Sequence, residues 1–393
     1  MNPQTDLPAD LLAWVRLSST SGIGPVTARR LLGMFGPPEQ LWRQSDAHLR
    51  QVLSHKQLQS LRQLPDEWAL RCTQLAQWLA VDARRGICTL ADAQYPAELL
   101  EQADPPLLLY WQGNVDLLRH PHRLSVVGSR HPTHQGAGNA RDFARTLGQT
   151  GFCIVSGLAL GVDGAAHEGA LEANAPTIAV VGTGLDRVYP AVHKDLAHRI
   201  AASGLLISEF SLGTPPTPGN FPKRNRMIAG LSQGTLVVEA TLASGSLITA
   251  RMAADFGREV FAIPGSIHAP QAKGCHALIR EGAQLVETAQ HILEELRLTP
   301  VTTVPSKTMS VSPYKTAPHT AAPEKRAPSQ NEQHIQTAHP LFLHLQHDPV
   351  SFDSLQARTG LETAALQAEL LNLELDGHIS RLPGGMFQRL FCA

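Results

Sequence analysis

Apolar and polar positions follow different patterns in different stretches of the chain. Residues 9–85 carry apolar side chains three and four positions apart, which predicts helices. From residue 86 onwards, short apolar runs alternate with amphipathic stretches of helix length. Residues 301–340 contain six prolines and show no hydrophobic period. Helix-like and strand-like patterns return after residue 340, so the chain divides into four parts.

Six apolar runs in the second part are separated by stretches of helix length, among them 136–149, 193–203 and 246–257. Strands that alternate with helices build βαβ units and a mostly parallel sheet. Runs that are apolar throughout are typical of strands covered on both faces. We therefore predict an α/β fold with an extended Rossmann-like parallel sheet at its core. The predicted strands are 124–127, 152–155, 177–181, 205–208, 235–238 and 260–263.

The first, helical part contains the turn Gly22-Ile23-Gly24-Pro25 directly before an amphipathic helix. Such a turn is the core of a helix-hairpin-helix, in which amides at a helix N-terminus meet a DNA phosphate. A plain turn between two helices explains the same glycines, because glycine adopts positive φ without strain. The motif alone therefore leaves both interpretations open.

The last part predicts a small domain of helices and a hairpin. Ser351 or Asp353 is a candidate cap for a helix that Gly360 ends, and 362–375 predicts a second helix after a helix-like stretch at 340–347. Two short strands flank the turn Pro383-Gly384-Gly385. This order is typical of a winged helix-turn-helix, with an unspecialised α+β domain as the alternative.

Together these patterns predict the organisation of the whole chain. The Pro-, Ser- and Thr-rich stretch buries too little apolar surface to fold, so we interpret it as a flexible linker. The predicted parts are a helical domain resembling a sterile alpha motif or helix-hairpin-helix at 1–85, a Rossmann-like domain at 86–298, a linker at 299–338 and a winged helix at 339–393.

Composition narrows the classes of function. Lys and Arg number 33 against 34 Asp and Glu, so the net charge is −1, and any nucleic-acid site must be a local basic patch. The five cysteines are scattered without a CxxC pair, which predicts neither a disulfide framework nor a metal site. No apolar run reaches 18 residues and the N-terminus lacks a signal-peptide pattern. We expect a cytoplasmic protein without membrane segments.

Three predicted strands end in glycine-rich turns: 128–130 (Gly-Ser-Arg), 156–164 and 182–184 (Gly-Thr-Gly). The carboxyl ends of parallel strands meet at one edge of a sheet, where ligands bind. Glycine lets a backbone approach a phosphate, and amides at helix N-termini suit anions. We therefore predict an extended phosphate track along this edge. His167 lies in the second turn's helix, where a packing role is favoured over catalysis.

The stretch from Asn220 to Arg226 (Asn-Phe-Pro-Lys-Arg-Asn-Arg) is the densest chemical signal. Three cations in four residues suit phosphates, and Phe221 offers a face on which a base can stack. The alternative is a solvated charge run. Cations at a helix start oppose the helix dipole unless an anion is present, which favours a binding site.

Signatures of common cofactors and catalytic centres are missing from the sequence. There is no GxGxxG with a downstream acid and no GxxxxGK[ST]. We also find no nucleophile–base pair or paired carboxylates. The expectation is a protein with no catalytic residues, no cofactor and no metal.

The ordered blocks VVGSR, SGLALGVDGAAHEGAL, TIAVVGTGLDRVYP, FPKRNRMIAGLSQGTLVVEA and SGSLITARMAADFGREVFAIPG resemble the DNA-processing protein A family, and the tail resembles its winged helix. The resemblance implies a non-enzymatic adaptor in natural transformation that binds and protects incoming single-stranded DNA. It further implies help in loading the RecA recombinase and a homodimer formed through the Rossmann-like domain. The DNA-contacting residues that it implies are Gly128, Ser129, Arg130, Ser156, Gly157, Lys194, Asn220, Phe221, Lys223, Arg224, Asn225 and Arg226.

Two other functions compete with this one. Phosphoribohydrolases of the cytokinin-activating kind carry PGGxGTxxE, whereas here Glu239 comes one residue late after Gly234-Thr235. On an alternating strand that shift reverses the side chain's face. The other alternative is a winged-helix regulator on duplex DNA. The stretch 361–376 carries four acidic and no basic residues. Phosphates repel acidic side chains, so this composition argues against binding of duplex DNA by the winged helix.

Overall fold

The structure, a computed structural model, describes residues 7–296, 340–345, 350–376, 378–382 and 385–389. It has two compact units, Met1–Thr299 and Pro300–Ala393. The predicted linker at 299–338 lies outside the described residues. None of the described helices combines the length and the apolar character that crossing a membrane requires.

The first unit begins with helices, as the spacing of apolar residues predicts. Gly24 precedes α2 and Pro25 occupies its first turn, where a missing N–H costs nothing. Ser54 and Gln57 form a reciprocal capping box at α5. The helices are α1 (Ala9–Ser18), α2 (Pro25–Phe35), α3 (Pro38–Leu41), α4 (Asp46–Leu49), α5 (His55–Arg62) and α6 (Trp68–Val81).

These helices share a core with the first strands of the sheet. Buried Trp14, Leu31 and Trp78 belong to the same apolar cluster as Leu108 and Tyr110 of the second strand. The helical segment therefore packs directly on one end of the sheet within the first unit.

A nine-stranded sheet forms the centre of the unit, in the order β1-β2-β6-β5-β4-β3-β7-β8-β9. The six predicted strands are β3 to β8, and they pair in parallel, which confirms the α/β fold. Sequence analysis missed the antiparallel strands β1 and β2 at one end and the short β9 at the other. The strands are β1 (Arg85–Thr89), β2 (Leu108–Gly113), β3 (Arg123–Gly128), β4 (Cys153–Ser156), β5 (Thr177–Val180), β6 (Leu205–Ser208), β7 (Gly234–Val238), β8 (Glu259–Ala262) and β9 (Gln284–Leu285).

Helices cover both faces of this sheet, because successive strand residues point to opposite sides. Val126 belongs to the core under α8, α9 and α14, whereas Val127 belongs to the core under α11, α12 and α13. The remaining helices of the unit are α7 (Ala97–Leu100), α8 (His134–Gln149), α9 (Val162–Glu172), α10 (Lys194–Ser203), α11 (Asn220–Leu231), α12 (Gly245–Asp255), α13 (Lys273–Arg280) and α14 (Ala289–Glu295).

The second unit has the predicted winged-helix elements. Ser351 caps α15, accepting a hydrogen bond from the Ser354 amide, and Gly360 ends it at φ 68°. Leu355, Leu366 and Phe387 lie in its core. Pro340–Leu343 is a 3-10 turn, while 346–349 lie outside the described residues. The elements are β10 (Val350–Ser351), α15 (Phe352–Thr359), α16 (Thr363–Leu375), β11 (Ile379–Leu382) and β12 (Met386–Arg389), with sheet order β10-β12-β11.

Two glycines in α8 and α9 provide a test of how closely these helices pack. A Cβ at Gly169 would lie 2.1 Å from the Arg141 carbonyl oxygen, whereas a Cβ at Gly138 meets nothing within 4 Å. Gly169→Ala should lower the free energy of unfolding by about 1–3 kcal/mol through overpacking. Gly138→Ala should raise it by up to about 1 kcal/mol, because alanine favours helix. Urea unfolding of both variants measures this, and equal effects would contradict the close contact.

Candidate nucleic-acid interface

A small cavity opens where β3, β4 and β5 end and α11 begins. Its volume is about 50 Å³, and we refer to it as the rim pocket. The glycine turns after the three strands and the start of the basic stretch all contribute to it, as their positions at one sheet edge predict. Its walls are Arg130, Gly157, Ala159, Leu160, Gly182, Thr183, Tyr189, Pro190, Phe221 and Arg224.

An ion pair lies at the base of the rim pocket. Arg224 is 4% exposed, and its Nη1 lies 3.8 Å from Oδ2 of buried Asp163. The amides of Gly157 and Ala159 donate to the same oxygen, at 3.1 and 3.3 Å. Burial lowers the pKa of Arg224 and raises that of Asp163, and each partner's charge opposes the effect of burial on the other. The pairing therefore favours both charged forms at a site that water hardly reaches.

Gly157 makes room for this pair. A Cβ at this position would lie 1.3 Å from Nη1 of Arg224. Any larger residue would therefore displace the guanidinium from the pocket. Gly157 also lines the rim pocket, so its expected contact with a phosphate stays a prediction.

Two aromatic rings and a cation lie at the mouth of the rim pocket. The guanidinium carbon of exposed Arg130 is 5.4 Å from the centroid of the Phe221 ring. The Tyr189 ring, 47% exposed as a residue, lies 6.0 Å from Phe221 at an interplanar angle of 39°. Asn220 fixes the start of α11 by donating to the Gly182 carbonyl at 3.1 Å. The rings thus offer adjacent apolar faces beside a positive charge.

Two buried polar atoms of the pocket-lining residues have no partner among the described residues. They are Nε of Arg224 and Oγ1 of Thr183, whose residue is 2% exposed. Buried donors are almost always satisfied, so such groups indicate a ligand or ordered water. Arg130 and Arg224 together carry two positive charges against the single carboxylate of Asp163. One positive charge remains, which matches one phosphodiester.

Other residues of the basic stretch do not face the pocket. Arg226 is 7% exposed and pairs with the carboxylate of Glu209. It also donates to Gln102 Oε1 at 3.3 Å and to the Asp104 carbonyl at 2.7 Å. The expectation that Arg226 contacts phosphate therefore conflicts with its placement, because its donors bind the protein itself. Lys223 is exposed and lies outside the pocket walls.

The remaining candidate residues have structural placements. Ser156 is fully buried, and its Oγ donates to the Val126 carbonyl at 2.7 Å, so it joins β4 to β3 and is not open to DNA. A Cβ at Gly128 would lie 1.9 Å from the Val238 carbonyl oxygen, so Gly128 serves the close passage of β3 beside β7. Ser129 Oγ accepts from the His131 amide. Half-buried Asn225 lies outside the pocket walls, and exposed Lys194 lines a separate cavity.

Thr183 and Tyr189 are pocket residues that sequence reasoning did not select. Both belong to the loop after β5, where Tyr189-Pro190 is a cis peptide. For Tyr189 the sequence did contain a usable signal, namely an aromatic residue close to a glycine turn at a strand end. Thr183 carries no such signal, since only its unpaired buried hydroxyl distinguishes it.

His167 is a packing residue, as the sequence analysis favoured. It is fully buried, with Nδ1 2.7 Å from Thr177 Oγ1. Burial, with a smaller contribution from His193, lowers its pKa to about 3. A neutral, enclosed imidazole of this kind is not accessible as a catalytic base. Among the described residues, no cluster of three or more His, Cys, Asp or Glu could hold a metal.

Glu239 holds the start of α8 in place. Its carboxylate accepts hydrogen bonds from the amide of Thr133, at 2.8 Å, and from its hydroxyl. The argument from strand alternation does not apply to it, because β7 ends at Val238 and Glu239 has a left-handed backbone, φ 51°. The carboxylate is engaged at a helix N-terminus, where negative charge is favourable.

The two cations Arg226 and Lys223 give a test of these placements. Arg226→Ala should lower the free energy of unfolding by about 3–5 kcal/mol, because it leaves Glu209 buried without its partner. Lys223→Ala should change it by less than about 0.5 kcal/mol, since the side chain is exposed. Thermal and urea unfolding measure both. Equal small effects would show that Arg226 does not stabilise the fold.

Comparison with known proteins shows which family has this sequence and fold. A family model described as "DNA recombination-mediator protein A" matches residues 86–297, and one described as "DprA winged helix domain" matches 322–385. The chain is 34% identical over 394 residues to "Protein Smf" of Synechocystis sp., covering 96% of this chain and 98% of that one.

Two solved structures are also similar. The X-ray structure of DNA processing protein A from Streptococcus pneumoniae matches with a TM-score of 0.58 and 36% identity, over 72% of this chain and 97% of that one. A structure of DNA processing protein A from Helicobacter pylori, whose description concerns its single-stranded DNA binding mode, matches with a TM-score of 0.50 and 33% identity, over 54% and 95%. This chain belongs to the DNA recombination-mediator protein A family, also called DprA or Smf.

Proposed function

We propose that this protein binds single-stranded DNA through the rim pocket and acts without catalysis as a recombination mediator in DNA uptake. In that role it protects the strand and helps to load RecA. The observation that carries the proposal is the pair of unsatisfied buried donors, Arg224 Nε and Thr183 Oγ1, beside a net charge of one. Such a site is complete when one phosphate occupies it.

The size of the pocket determines which part of a nucleotide it takes. Its volume of about 50 Å³ is far below the roughly 300–1,000 Å³ typical of pockets that enclose small ligands. A base therefore stays outside, where Phe221 and Tyr189 present stacking faces. Phosphate inside and base outside gives binding with little dependence on base sequence, as a protein that handles any incoming strand requires.

The family supports the wider role. The matching model is described as a recombination mediator, and the H. pylori relative's structure is described as one with a single-stranded DNA binding mode. A mediator acts by presenting a bound strand to a recombinase. We carry the DNA ligand over to this protein, and we propose RecA as the recombinase that it serves.

The surroundings of the pocket argue against a hydrolase. Glu239, the residue nearest to a phosphoribohydrolase signature, is engaged in capping α8. Asp163 is paired with Arg224 and two amides. Each carboxylate thus has a structural partner that a catalytic base or nucleophile would have to give up.

An exposed apolar groove supports self-association. Leu242, Ile267 and Leu285 are 67, 66 and 42% exposed and line one cavity of about 430 Å³ beside the edge strand β9. Apolar patches of this kind mark interaction surfaces. A second copy that pairs there would cover the edge of the sheet as well. We therefore place the homodimer contact of the Rossmann-like domain at this groove.

The four cysteines in the described part of the chain fit a reducing compartment. Cys72, Cys88, Cys153 and Cys275 are buried and unpaired. Proteins of oxidising compartments more often carry disulfides. A cytoplasmic location therefore remains part of the proposal.

Binding of labelled single strands at several salt concentrations tests the DNA proposal. Arg130→Ala should reduce the log–log salt slope by about 0.7, the value of one lost phosphate contact. Phe221→Ala should cost about 1–3 kcal/mol with an unchanged slope, because stacking releases no counterion. Exposed Arg119, outside the pocket, serves as the matched control as Arg119→Ala.

Two further measurements separate single-strand binding from the alternative functions. Duplex DNA should bind more weakly than a single strand, and incubation of the protein with nucleoside monophosphate should release no free base. If folded Arg130→Ala and Phe221→Ala bind as tightly as Arg119→Ala, the rim pocket is not the DNA site. Release of base would support the hydrolase instead.

The homodimer is tested by a charge in the apolar groove. Ile267→Glu should raise the dimer dissociation constant by about a hundredfold or more, because a charged side chain that replaces an apolar one must lose its water in the interface, at a cost of several kcal/mol. Leu64→Glu, at an equally apolar and 59% exposed position in the helical segment, should leave it unchanged. Sedimentation velocity measures both. Equal masses for all three proteins would place the contact elsewhere.

A further inference from the structure

A second, larger cavity lies beside the rim pocket, between α6, the start of β1 and α10. Its volume is about 400 Å³, and we refer to it as the side cleft. Lys194, one of the residues expected to contact DNA, lines this cavity. The residues that matter for its chemistry are Trp78, Arg85, Leu158, Arg187, Lys194 and His198.

We propose that the side cleft binds one nucleotide unit, with the base against its apolar floor and the phosphate at its cationic rim. The inference extends the proposed function, on which it rests, from one phosphate to a longer stretch of strand. It also gives the N-terminal helical segment a part in ligand binding, since α6 and the start of β1 supply one wall.

Charge at the cleft favours an anion. Three cations line it, Arg85, Arg187 and Lys194, together with the exposed imidazole of His198. Asp186 is the carboxylate among its walls, and it pairs with Arg187 at 3.1 Å. Two positive charges therefore remain, although the chain as a whole carries a net charge of −1.

The floor of the cleft favours a base. It is formed by apolar side chains of the turn after β4, of α10 and of the sheet, among them Leu158, Ala197 and Leu206. Gln112 adds an amide that can both donate to and accept from a base edge. A volume of about 400 Å³ lies within the range of pockets that enclose small ligands. The rim pocket, at about 50 Å³, does not.

The two cavities share their walls. The turns at 158–159 and 181–182 each contribute one residue to the side cleft and its direct neighbour to the rim pocket. The loop at 188–191 contributes its two outer residues to the side cleft and its two inner residues to the rim pocket. A strand that places a phosphate in the rim pocket therefore needs only to cross these turns to reach the cleft. A phosphate site and a nucleotide site that lie side by side suit consecutive nucleotides of one strand.

Arg85, the cation on the wall formed by α6 and the start of β1, is held in position. The Arg85 guanidinium lies 5.3 Å from the centroid of the Trp78 ring, and its Nη1 donates to the Trp78 carbonyl at 3.2 Å. Trp78 itself is 7% exposed and packs edge-on against Tyr110. An arginine supported in this way loses little side-chain entropy when a phosphate arrives.

Arg85 and its neighbour Arg84 provide a matched pair for the test. Arg84 is exposed, pairs with Asp82 and lies outside the cleft walls. Arg85→Gln should weaken binding of a thymidine oligomer about tenfold, because a hydrogen bond to a charged group is lost. Arg84→Gln should bind as the wild type does. Thermal melting of each full-length variant confirms that it is folded.

Two readouts identify the nucleotide's source. Oligomers carrying iodouracil should form photocross-links to peptides around 78–85 or 187–198 if the strand itself enters the cleft. Thymidine monophosphate, titrated by calorimetry, should bind in an Arg85-dependent manner if the cleft takes a free nucleotide. Either result supports the proposal and names the source.

The outcome that overturns it is equally defined. If the wild type binds the oligomer while Arg85→Gln matches Arg84→Gln, cross-links avoid both peptides and the monophosphate does not bind, the cleft is not a nucleotide site. A wild type that binds no oligomer refutes the proposed function instead. In that case, Arg85-dependent binding of the monophosphate still decides the cleft.

Discussion

The buried pair of Arg224 and Asp163 is the interaction on which the rim pocket depends. Asp163 belongs to the first turn of α9 and also accepts the amides of the turn after β4, while Arg224 belongs to α11. The pair therefore fixes two helices and a turn relative to one another. Because both groups are almost fully buried, neither charge is stable without the other. Asp163 thereby positions Nε of Arg224, the pocket donor that has no partner among the described residues.

Much of the fold follows from local patterns. The six central strands are continuous apolar runs, and covering them on both faces requires the helices found between them. The edge strand β1 was missed because Arg85–Thr89 is mixed in character, and β9 because Gln284–Leu285 has two residues. The strand β2, which lies between β1 and β6, was also missed, although its run from Leu108 to Trp111 is apolar. Edge strands carry weaker signals, since one side has no neighbour to select their residues.

The candidate site was predictable in outline and less so in detail. Sequence analysis placed Arg130, Phe221 and Arg224 together because strand ends and the start of α11 share one edge. It treated Arg226 as equivalent to Arg224, although residues two apart on a helix point about 200° from each other. Sequence alone did not say which of them faces the pocket. Cations at the start of a helix oppose the helix dipole unless negative charge is nearby. Here two carboxylates of the protein, Asp163 and Glu209, supply negative charge to Arg224 and Arg226.

The rim pocket is assembled from four stretches of chain that are far apart in sequence, at 130, 157–160, 182–190 and 221–224. No short peptide cut from this protein can reproduce it, in contrast to a linear basic tail that binds DNA while unfolded. The unfolded chain has a net charge of only −1 and lacks a comparable binding site for a strand. A ligand bound here therefore adds its binding free energy to the stability of the native fold, and a strand at a hundred times its dissociation constant adds about 2.7 kcal/mol. Single-stranded DNA, the ligand proposed for this pocket, would in this way stabilise the native fold for as long as it is bound.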